Sequence, residues 1–105
     1  MIIRPAKVQD VEAINAIITD NAEQDRMLFR SLADIYENLQ TFLVAQSDTR
    51  ITGCCALEVV WSDLAEIKSL AVDNDLRGQG VGRALVERAV DQGRVVAARA
   101  GVNVE

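Results

Sequence analysis

The most specific chemical signal in the chain is a glycine-rich segment between a predicted strand and a predicted helix. Residues 77–83 are Arg-Gly-Gln-Gly-Val-Gly-Arg. Glycine backbones can approach a ligand closely, and the unpaired N–H groups at a helix start, with the helix dipole, favour a negative charge. Arg77 and Arg83 would add charge-assisted contacts. The alternative is a tight turn with solvated arginines, but three alternating glycines between two arginines favour a phosphate site.

This segment does not fit two familiar phosphate-binding motifs. A P-loop ends in Gly-Lys-Ser/Thr, whereas Gly82 is followed here by Arg83 and Ala84. A dinucleotide-binding fingerprint needs a third small residue, and its two possible registers place Arg83 or Leu85 there. Both motifs are therefore excluded.

Apolar residues at helical spacing predict three helices that surround this segment. The first begins near Val8 and is followed by a loop over residues 20–30. The second begins at Ser31, whose side chain and Asp34 resemble a capping box. The third begins at Val81. The repeating positions are Val8, Val11, Ile14, Ile17 and Ile18 in the first helix; Leu32, Ile35, Tyr36 and Leu39 in the second; and Leu85, Val86, Ala89 and Val90 in the third.

Four strands are predicted from apolar and β-branched runs between turn residues. A short strand over residues 2–4 ends at Pro5. Three further strands, 41–45, 51–61 and 64–72, are joined by short turns and therefore form an antiparallel meander. The third helix either ends at Gly93, which then caps it, or continues through Gly93 and ends at Gly101. We favour the longer helix, with 102–105 as the start of another strand.

Composition excludes several classes of function. Eleven Lys and Arg against sixteen Asp and Glu give a net charge of −5, which argues against general nucleic-acid binding. No apolar run approaches the ~18–20 residues that cross a bilayer, and the N-terminus does not resemble a signal peptide. We therefore expect one cytoplasmic domain with neither a membrane nor a nucleic acid as partner.

Histidine is absent from the sequence, which removes the usual metal ligand and the base of a Ser-His-Asp triad. Cys54 and Cys55 are adjacent, and neighbours on a strand point to opposite faces, so the two cannot easily bridge or share a metal. We expect them, like Trp61 and Tyr36, to pack in the fold rather than to catalyse, and we expect no metal.

Residues 77–82 fit the Arg/Gln-x-x-Gly-x-Gly/Ala signature of the GNAT acetyltransferases, which the chain resembles. The preceding strand, 65–72, resembles their fourth strand, and the order of elements matches theirs over essentially the whole chain. More narrowly, residues 30–38 and 53–57 look like amino-acid N-acetyltransferases of the N-acetylglutamate synthase type. The resemblance implies an α/β (α+β) fold with a mostly antiparallel sheet, formed by a single domain over residues 1–105.

The resemblance also implies a cosubstrate, acetyl-CoA, and the residues that bind it. Backbone amides of the glycine-rich segment would hold the CoA pyrophosphate, and the end of the preceding strand would pair with the pantetheine arm. The implied CoA-binding residues are Leu70, Ala71, Val72, Arg77, Gly78, Gln79, Gly80, Val81, Gly82 and Arg83.

Glu66 occupies the place where several GNAT enzymes put the general base that deprotonates the substrate amine. The alternative is a surface glutamate paired with Lys68 on the same face of the strand. If the substrate is an acidic amino acid, Arg30 and Lys68 are candidates for its carboxylates. The implied reaction is direct transfer of acetyl from acetyl-CoA to the amino group of a small molecule, an amino acid; the alternative is a non-catalytic CoA-binding module.

The resemblance predicts a fold longer than this sequence. GNAT folds continue through a fifth strand, a fourth helix and two more strands, and the tyrosine often used as general acid lies there. Tyr36 does not match that tyrosine. The strand over residues 64–72 would then have an unpaired edge, so we expect a homodimer in which a second copy packs against it.

Overall fold

Four strands form one antiparallel sheet in the order β1-β2-β3-β4. The computed structural model describes residues 1–61 and 64–99, with side chains as far as residue 94. The predicted turn at 62–63, the end of the last helix at Gly101 and the predicted strand at 102–105 lie outside the described residues. The strands are β1 (Ile2–Pro5), β2 (Phe42–Ser47), β3 (Arg50–Trp61) and β4 (Leu64–Val72).

Three α-helices accompany the sheet, and their order matches the prediction. They are α1 (Val11–Glu23), α2 (Leu32–Glu37) and α3 (Val81–Arg99). The third helix passes through Gly93, as the favoured version of the prediction has it. Single turns of 3-10 helix precede α1, β2 and the glycine-rich segment, at Val8–Asp10, Leu39–Thr41 and Asn74–Leu76. No helix among the described residues is long and apolar enough to span a bilayer.

Three predicted helix boundaries are wrong. The first helix was expected from near Val8, but Val8 is an exposed residue of a 3-10 turn and α1 begins at Val11. The loop predicted from residue 20 begins later, because α1 continues to Glu23 and buries Asn21 and Ala22 against the sheet. The second helix is only six residues long, and Leu39 belongs to the following 3-10 turn. At residue 20 the prediction followed the apolar residues alone and ended the helix before the polar Asn21. At Leu39 the apolar spacing did not distinguish an α-helix from a 3-10 turn.

The two faces of the sheet pack against different helices. One core lies between the sheet and α1 and α2, and the other lies between the sheet and α3. Cys54 faces the first and its neighbour Cys55 the second, as expected for adjacent residues on a strand. The first core contains Val11, Ile14, Ile17, Ile18, Ile35, Phe42, Val44, Cys54, Ala56 and Ala71; the second contains Leu43, Ala45, Cys55, Val81, Leu85 and Ala89.

A bulge interrupts β4 just before its end. Cys54 pairs with Ala71 and Ala56 pairs with Lys68, so Ser69 and Leu70 together lie opposite Cys55. Ser69 has a φ of 52°, in the left-handed region. The extra residue shifts the alternation of β4, because side chains on a strand otherwise change face at every residue. Lys68 and Ala71 consequently lie on the same face of the sheet.

Among the described residues β4 is an edge strand, and apolar side chains of β3 and β4 near this edge are exposed. The homodimer was expected because an unpaired strand edge of this kind can be covered by a second copy of the chain. The homodimer itself stays a prediction.

Gly53 allows α3 to approach β3 closely, and we predict that Gly53→Ala is destabilising. A Cβ added there would lie 2.9 Å from Val81 Cγ1 and 3.1 Å from the carbonyl oxygen of Ala71. Overpacking of this kind costs about 1–3 kcal/mol. Gly93→Ala is the matched control: a Cβ there meets nothing within 4 Å. It should stabilise the chain by up to about 1 kcal/mol through helix propensity. Urea unfolding measures both, and an unchanged midpoint for Gly53→Ala would contradict the close packing.

A bidentate ion pair connects β1 to the start of α1. The carboxylate of Asp10, which is 5% exposed, accepts hydrogen bonds from Arg4 Nη1 at 2.7 Å and Nη2 at 3.1 Å. It also accepts one from the backbone N–H of Lys7 at 2.7 Å. The hydrogen bonds from Arg4 hold the pKa of Asp10 below its ordinary value, against an opposing effect of burial.

We therefore predict an acid-dependent loss of stability that Asp10→Asn reduces. A lowered pKa in the folded state contributes stability above the ordinary carboxyl pKa of about 3.9, and this contribution is lost as the pH falls through the lowered value. The free energy of unfolding of the original chain should decline below about pH 4. Asp10→Asn should start lower and decline less steeply in urea titrations at each pH. Parallel curves for the two proteins would contradict the prediction.

Candidate functional site

A cavity of about 620 Å³ lies where β4 ends and α3 begins. Its walls come from three parts of the chain. These are the last residues of β4, the glycine-rich segment with the first turn of α3, and the end of α1 with Arg26 just after it. The lining residues are Asn21, Arg26, Leu70, Ala71, Val72, Leu76, Arg77, Gly78, Gly80, Val81, Gly82 and Arg83.

The glycine-rich segment presents its backbone to this cavity. Gly78 and Gly80 have φ values of 80° and 86°, which residues with side chains rarely adopt, and a Cβ at either would meet no atom within 4 Å. The N–H of Ala84 bonds to the carbonyl of Gly80 at 3.0 Å. The N–H groups before Ala84 in this helix have no intrahelical acceptor, because a helix leaves its first N–H groups unpaired. The backbone is thus arranged to bind an anion.

The structure brings together nine of the ten residues that the resemblance implied for CoA. Gln79 is exposed and is not among the residues that line the cavity. Arg83 lines it, but its side chain is largely exposed and lies 3.2 Å from Glu87. Arg77 lines it as well and donates a hydrogen bond to Asn21 Oδ1 at 3.4 Å.

Sequence reasoning missed Asn21, Arg26 and Leu76, which also line the cavity. Residues 20–30 were assigned to a loop in which only Arg30 was given a role. One signal could have found Asn21: it stands three residues after Ile18 and seven after Ile14, in line with the buried stripe of the first helix. A polar residue that continues an apolar stripe must have partners inside the fold.

The three charged residues proposed for catalysis and substrate binding lie together with a fourth, Glu58. Glu58 and Glu66 are opposite each other on β3 and β4. Lys68 Nζ lies 2.8 Å from Glu58 Oε2 and 3.5 Å from Glu66 Oε2, and Arg30 Nη2 lies 3.6 Å from Glu58 Oε1. We call Arg30, Glu58, Glu66 and Lys68 the charge cluster. It lies on the face of the sheet that carries α1 and α2.

Arg30 is the best-fixed member of the charge cluster. Its guanidinium stacks 4.9 Å from the ring centroid of Phe42, donates to Ser69 Oγ at 2.9 Å, and pairs with Asp34 at 2.5 Å. The side chain is only 13% exposed. Ser69 is the bulge residue of β4, so Arg30 joins the region before α2 to the irregular part of the strand.

The two carboxylates of the charge cluster differ in their surroundings. The hydrogen bond from Lys68 is the largest cause that lowers the pKa of Glu58. A carboxylate with a lowered pKa is a weak proton acceptor, so Glu58 is poorly suited to be a base. Glu66 is about half exposed and contacts Lys68 at the longer distance of 3.5 Å. The pairing with Lys68 that was weighed as the alternative for Glu66 is therefore present, and it leaves one side of the carboxylate open to solvent.

The two cysteines are buried, and their chemistry agrees with a packing role. The same expectation is wrong for Trp61 and Tyr36, which are 73% and 49% exposed. Burial raises the pKa of the Cys54 thiol to about 12 and that of Cys55 to about 11. A thiol needs to be ionised to act as a nucleophile. Within the described part of the chain, no group of three His, Cys, Asp or Glu side chains is placed to hold a metal ion.

The chain belongs to the acetyltransferase (GNAT) family, which residues 8–103 match. An uncharacterized N-acetyltransferase of Chlorobaculum tepidum is 40% identical over 101 residues, which are 96% of this chain and 63% of that protein. The amino-acid acetyltransferase of Mycobacterium tuberculosis is 38% identical over 96 residues, which are 89% of this chain and 55% of that protein. The chain thus spans less than two thirds of the length of these relatives.

Solved structures show the same fold. A Mycobacterium tuberculosis protein crystallised with CoA superposes with a TM-score of 0.87 at 36% identity, over 92% of this chain and 60% of that one. The N-acetylglutamate synthase of Neisseria gonorrhoeae, crystallised with coenzyme A and N-acetyl-glutamate, gives a TM-score of 0.86 at 30% identity, over 90% of this chain and 23% of that one. The predicted GNAT fold and the likeness to amino-acid acetyltransferases are confirmed.

Proposed function

We propose that the protein transfers the acetyl group of acetyl-CoA to the amino group of an amino acid. The observation that carries this proposal is the cavity at the end of β4, which is lined by a glycine backbone, a helix start and two arginines, Arg26 and Arg77. Two structurally similar proteins were crystallised with CoA. The relatives named amino-acid acetyltransferases support the class of acceptor, and glutamate is the first amino acid to test.

The cavity fits the phosphate end of CoA for physical reasons. Phosphate oxygens accept hydrogen bonds from unpaired backbone N–H groups and are attracted to a helix start. At the other wall, the bulge at Ser69 and Leu70 disturbs the regular ladder of β4. Leu70, Ala71 and Val72 line the cavity there, and their main-chain groups offer partners to an amide-rich arm such as pantetheine.

The charge cluster suits an amino acid because it contains both signs of charge. Glu66 would accept a proton from the substrate ammonium, since only a neutral amine can attack the thioester. Lys68 and Arg30 would attract substrate carboxylates. Glu66 lies opposite Glu58 and Leu70 lies opposite Cys55, so the two are three ladder positions apart, which is about 10 Å along the strand. The acceptor would therefore bind on the same strand as the cosubstrate, upstream of the bulge, and react by direct attack without an acyl-enzyme.

We predict that Gly80→Val weakens CoA binding at least tenfold. Valine is β-branched and strongly disfavoured at a φ of 86°, so the backbone of the segment must rearrange and lose its aligned N–H groups. Gly93→Val makes the same change at a helix position with open space around it and serves as the control. Calorimetric titration with CoA measures the affinity. Equal affinity for folded Gly80→Val and the control would remove the segment from the binding site.

We predict that Glu66→Gln lowers kcat/KM for an amino-acid acceptor, and most strongly at the acidic end of the pH range, where more of the amine is protonated. Release of CoA thiol from acetyl-CoA on a panel of amino acids measures the rate. Cys54→Ala is the control and should alter stability but not the pH profile. An unchanged pH profile for Glu66→Gln would exclude Glu66 as the base. CoA binding without thiol release on any amine would instead support a non-catalytic CoA-binding module.

A further inference from the structure

The end of α1 folds back so that Arg26 lies over Asn21. The helix closes with Asp25 in the left-handed region, at a φ of 58°. The N–H of Asp25 bonds to the carbonyl of Ala22 at 3.0 Å, and the N–H of Arg26 bonds to the carbonyl of Asn21 at 3.2 Å. These two bonds make a Schellman motif, which fixes the path of the chain just after a helix. The position of Arg26 beside the cavity is therefore set by its backbone.

The side chain of Asn21 connects α1 to both walls of the cavity. It is 2% exposed, and its Nδ2 donates to the carbonyl of Ile17 at 2.8 Å and to that of Val72, at the end of β4, at 3.0 Å. Its Oδ1 accepts from Arg26 Nη1 at 3.3 Å and from Arg77 Nη1 at 3.4 Å. One buried amide thus holds two guanidinium groups at the same edge of the cavity.

These two arginines are not neutralised by the protein. Among the side chains that the structure describes, neither Arg26 nor Arg77 has a carboxylate within 4.0 Å, whereas nearly all the other arginines have at least one. The exception is Arg88, which does not line the cavity and donates to the carbonyl of Ile3. The polar partners of Arg26 are the neutral amides of Asn21 and Asn74. In a chain of net charge −5, two adjacent cations with neutral partners on the wall of a cavity indicate an anionic ligand.

We propose that Arg26 binds the diphosphate of CoA together with Arg77, and that Asn21 positions both guanidinium groups for it. This inference rests on the proposed use of the cavity for CoA. Arg26 follows the end of α1, whereas Arg77 belongs to the glycine-rich segment, so groups from two parts of the chain would hold the diphosphate. Asn21 is a positioning residue: it acts through the two arginines and through the carbonyl of Val72.

The first test compares Arg26→Gln with Arg94→Gln in calorimetric titrations with three probes. Arg94→Gln removes the same charge at an exposed site on α3, about 20 Å along the helix from its first residue, Val81, which lines the cavity. Arg26→Gln should weaken binding of CoA and of 3′-dephospho-CoA about equally, by about tenfold, since hydrogen bonds between ionised groups are strong. Binding of pantetheine, which lacks the diphosphate, should not change. Arg26→Lys should recover part of the loss, and the effect should shrink as salt is added.

Each outcome of this test is decisive, because Arg26 is exposed and its replacement should not prevent folding. Equal affinities for Arg26→Gln and Arg94→Gln would overturn the inference and leave the proposed function intact. A loss confined to CoA, with 3′-dephospho-CoA unaffected, would place Arg26 at the ribose phosphate and overturn the diphosphate assignment. If the original chain binds neither CoA nor 3′-dephospho-CoA, the proposed function fails together with this inference.

A double-mutant cycle tests the role of Asn21. Asn21→Ala should weaken CoA binding more in the original chain than in the Arg26→Gln background, because part of its effect passes through Arg26. A residue that only stabilised the fold would give equal effects in the two backgrounds. Additive losses would therefore contradict a positioning role for Asn21 toward Arg26, whatever the change in melting temperature.

Discussion

One extra residue in β4 is the constraint on which the arrangement of the site depends. With Ser69 in the left-handed region, Ser69 and Leu70 share one position opposite Cys55. The shift brings Ala71 into the core beneath α1, on the same face as the charged residues upstream. In a regular strand Leu70 and Val72 would have followed Lys68 on that face. The bulge thus allows one strand to carry an open charge cluster in its first half and a packed wall of the cavity in its last residues.

Polar contacts of buried or half-buried side chains hold this irregular strand in place. Arg30 donates to the hydroxyl of Ser69 at the bulge, and Asn21 donates to the carbonyl of Val72 beyond it. Both side chains come from the region of α1 and α2. The strand is therefore held at two points from the face of the sheet that carries these two helices. The contact from Asn21 also gives the carbonyl of Val72 a partner, and an unpaired polar group inside a fold is costly.

The distribution of charge separates the two parts of the site. The charge cluster is internally compensated, with two cations and two carboxylates in contact, whereas Arg26 and Arg77 at the cavity have neutral partners. An uncompensated pair attracts a strongly anionic group, and a compensated cluster can exchange partners with a ligand that carries both signs. This difference matches a phosphate-bearing cosubstrate at one end of β4 and an amino acid at the other.

The sequence by itself determined the order of elements, the antiparallel sheet and the glycine-rich segment, because these follow from local spacing of apolar residues and from glycines at a helix start. It also placed Glu66, Lys68 and Leu70 on one strand. Only the tertiary structure decided that a bulge separates Leu70 from the other two, and that Asn21 and Arg26 reach the cavity. Period-two alternation predicts no bulge. Two of the partners of Asn21, Val72 and Arg77, lie about 50 positions away, so no local pattern records those contacts.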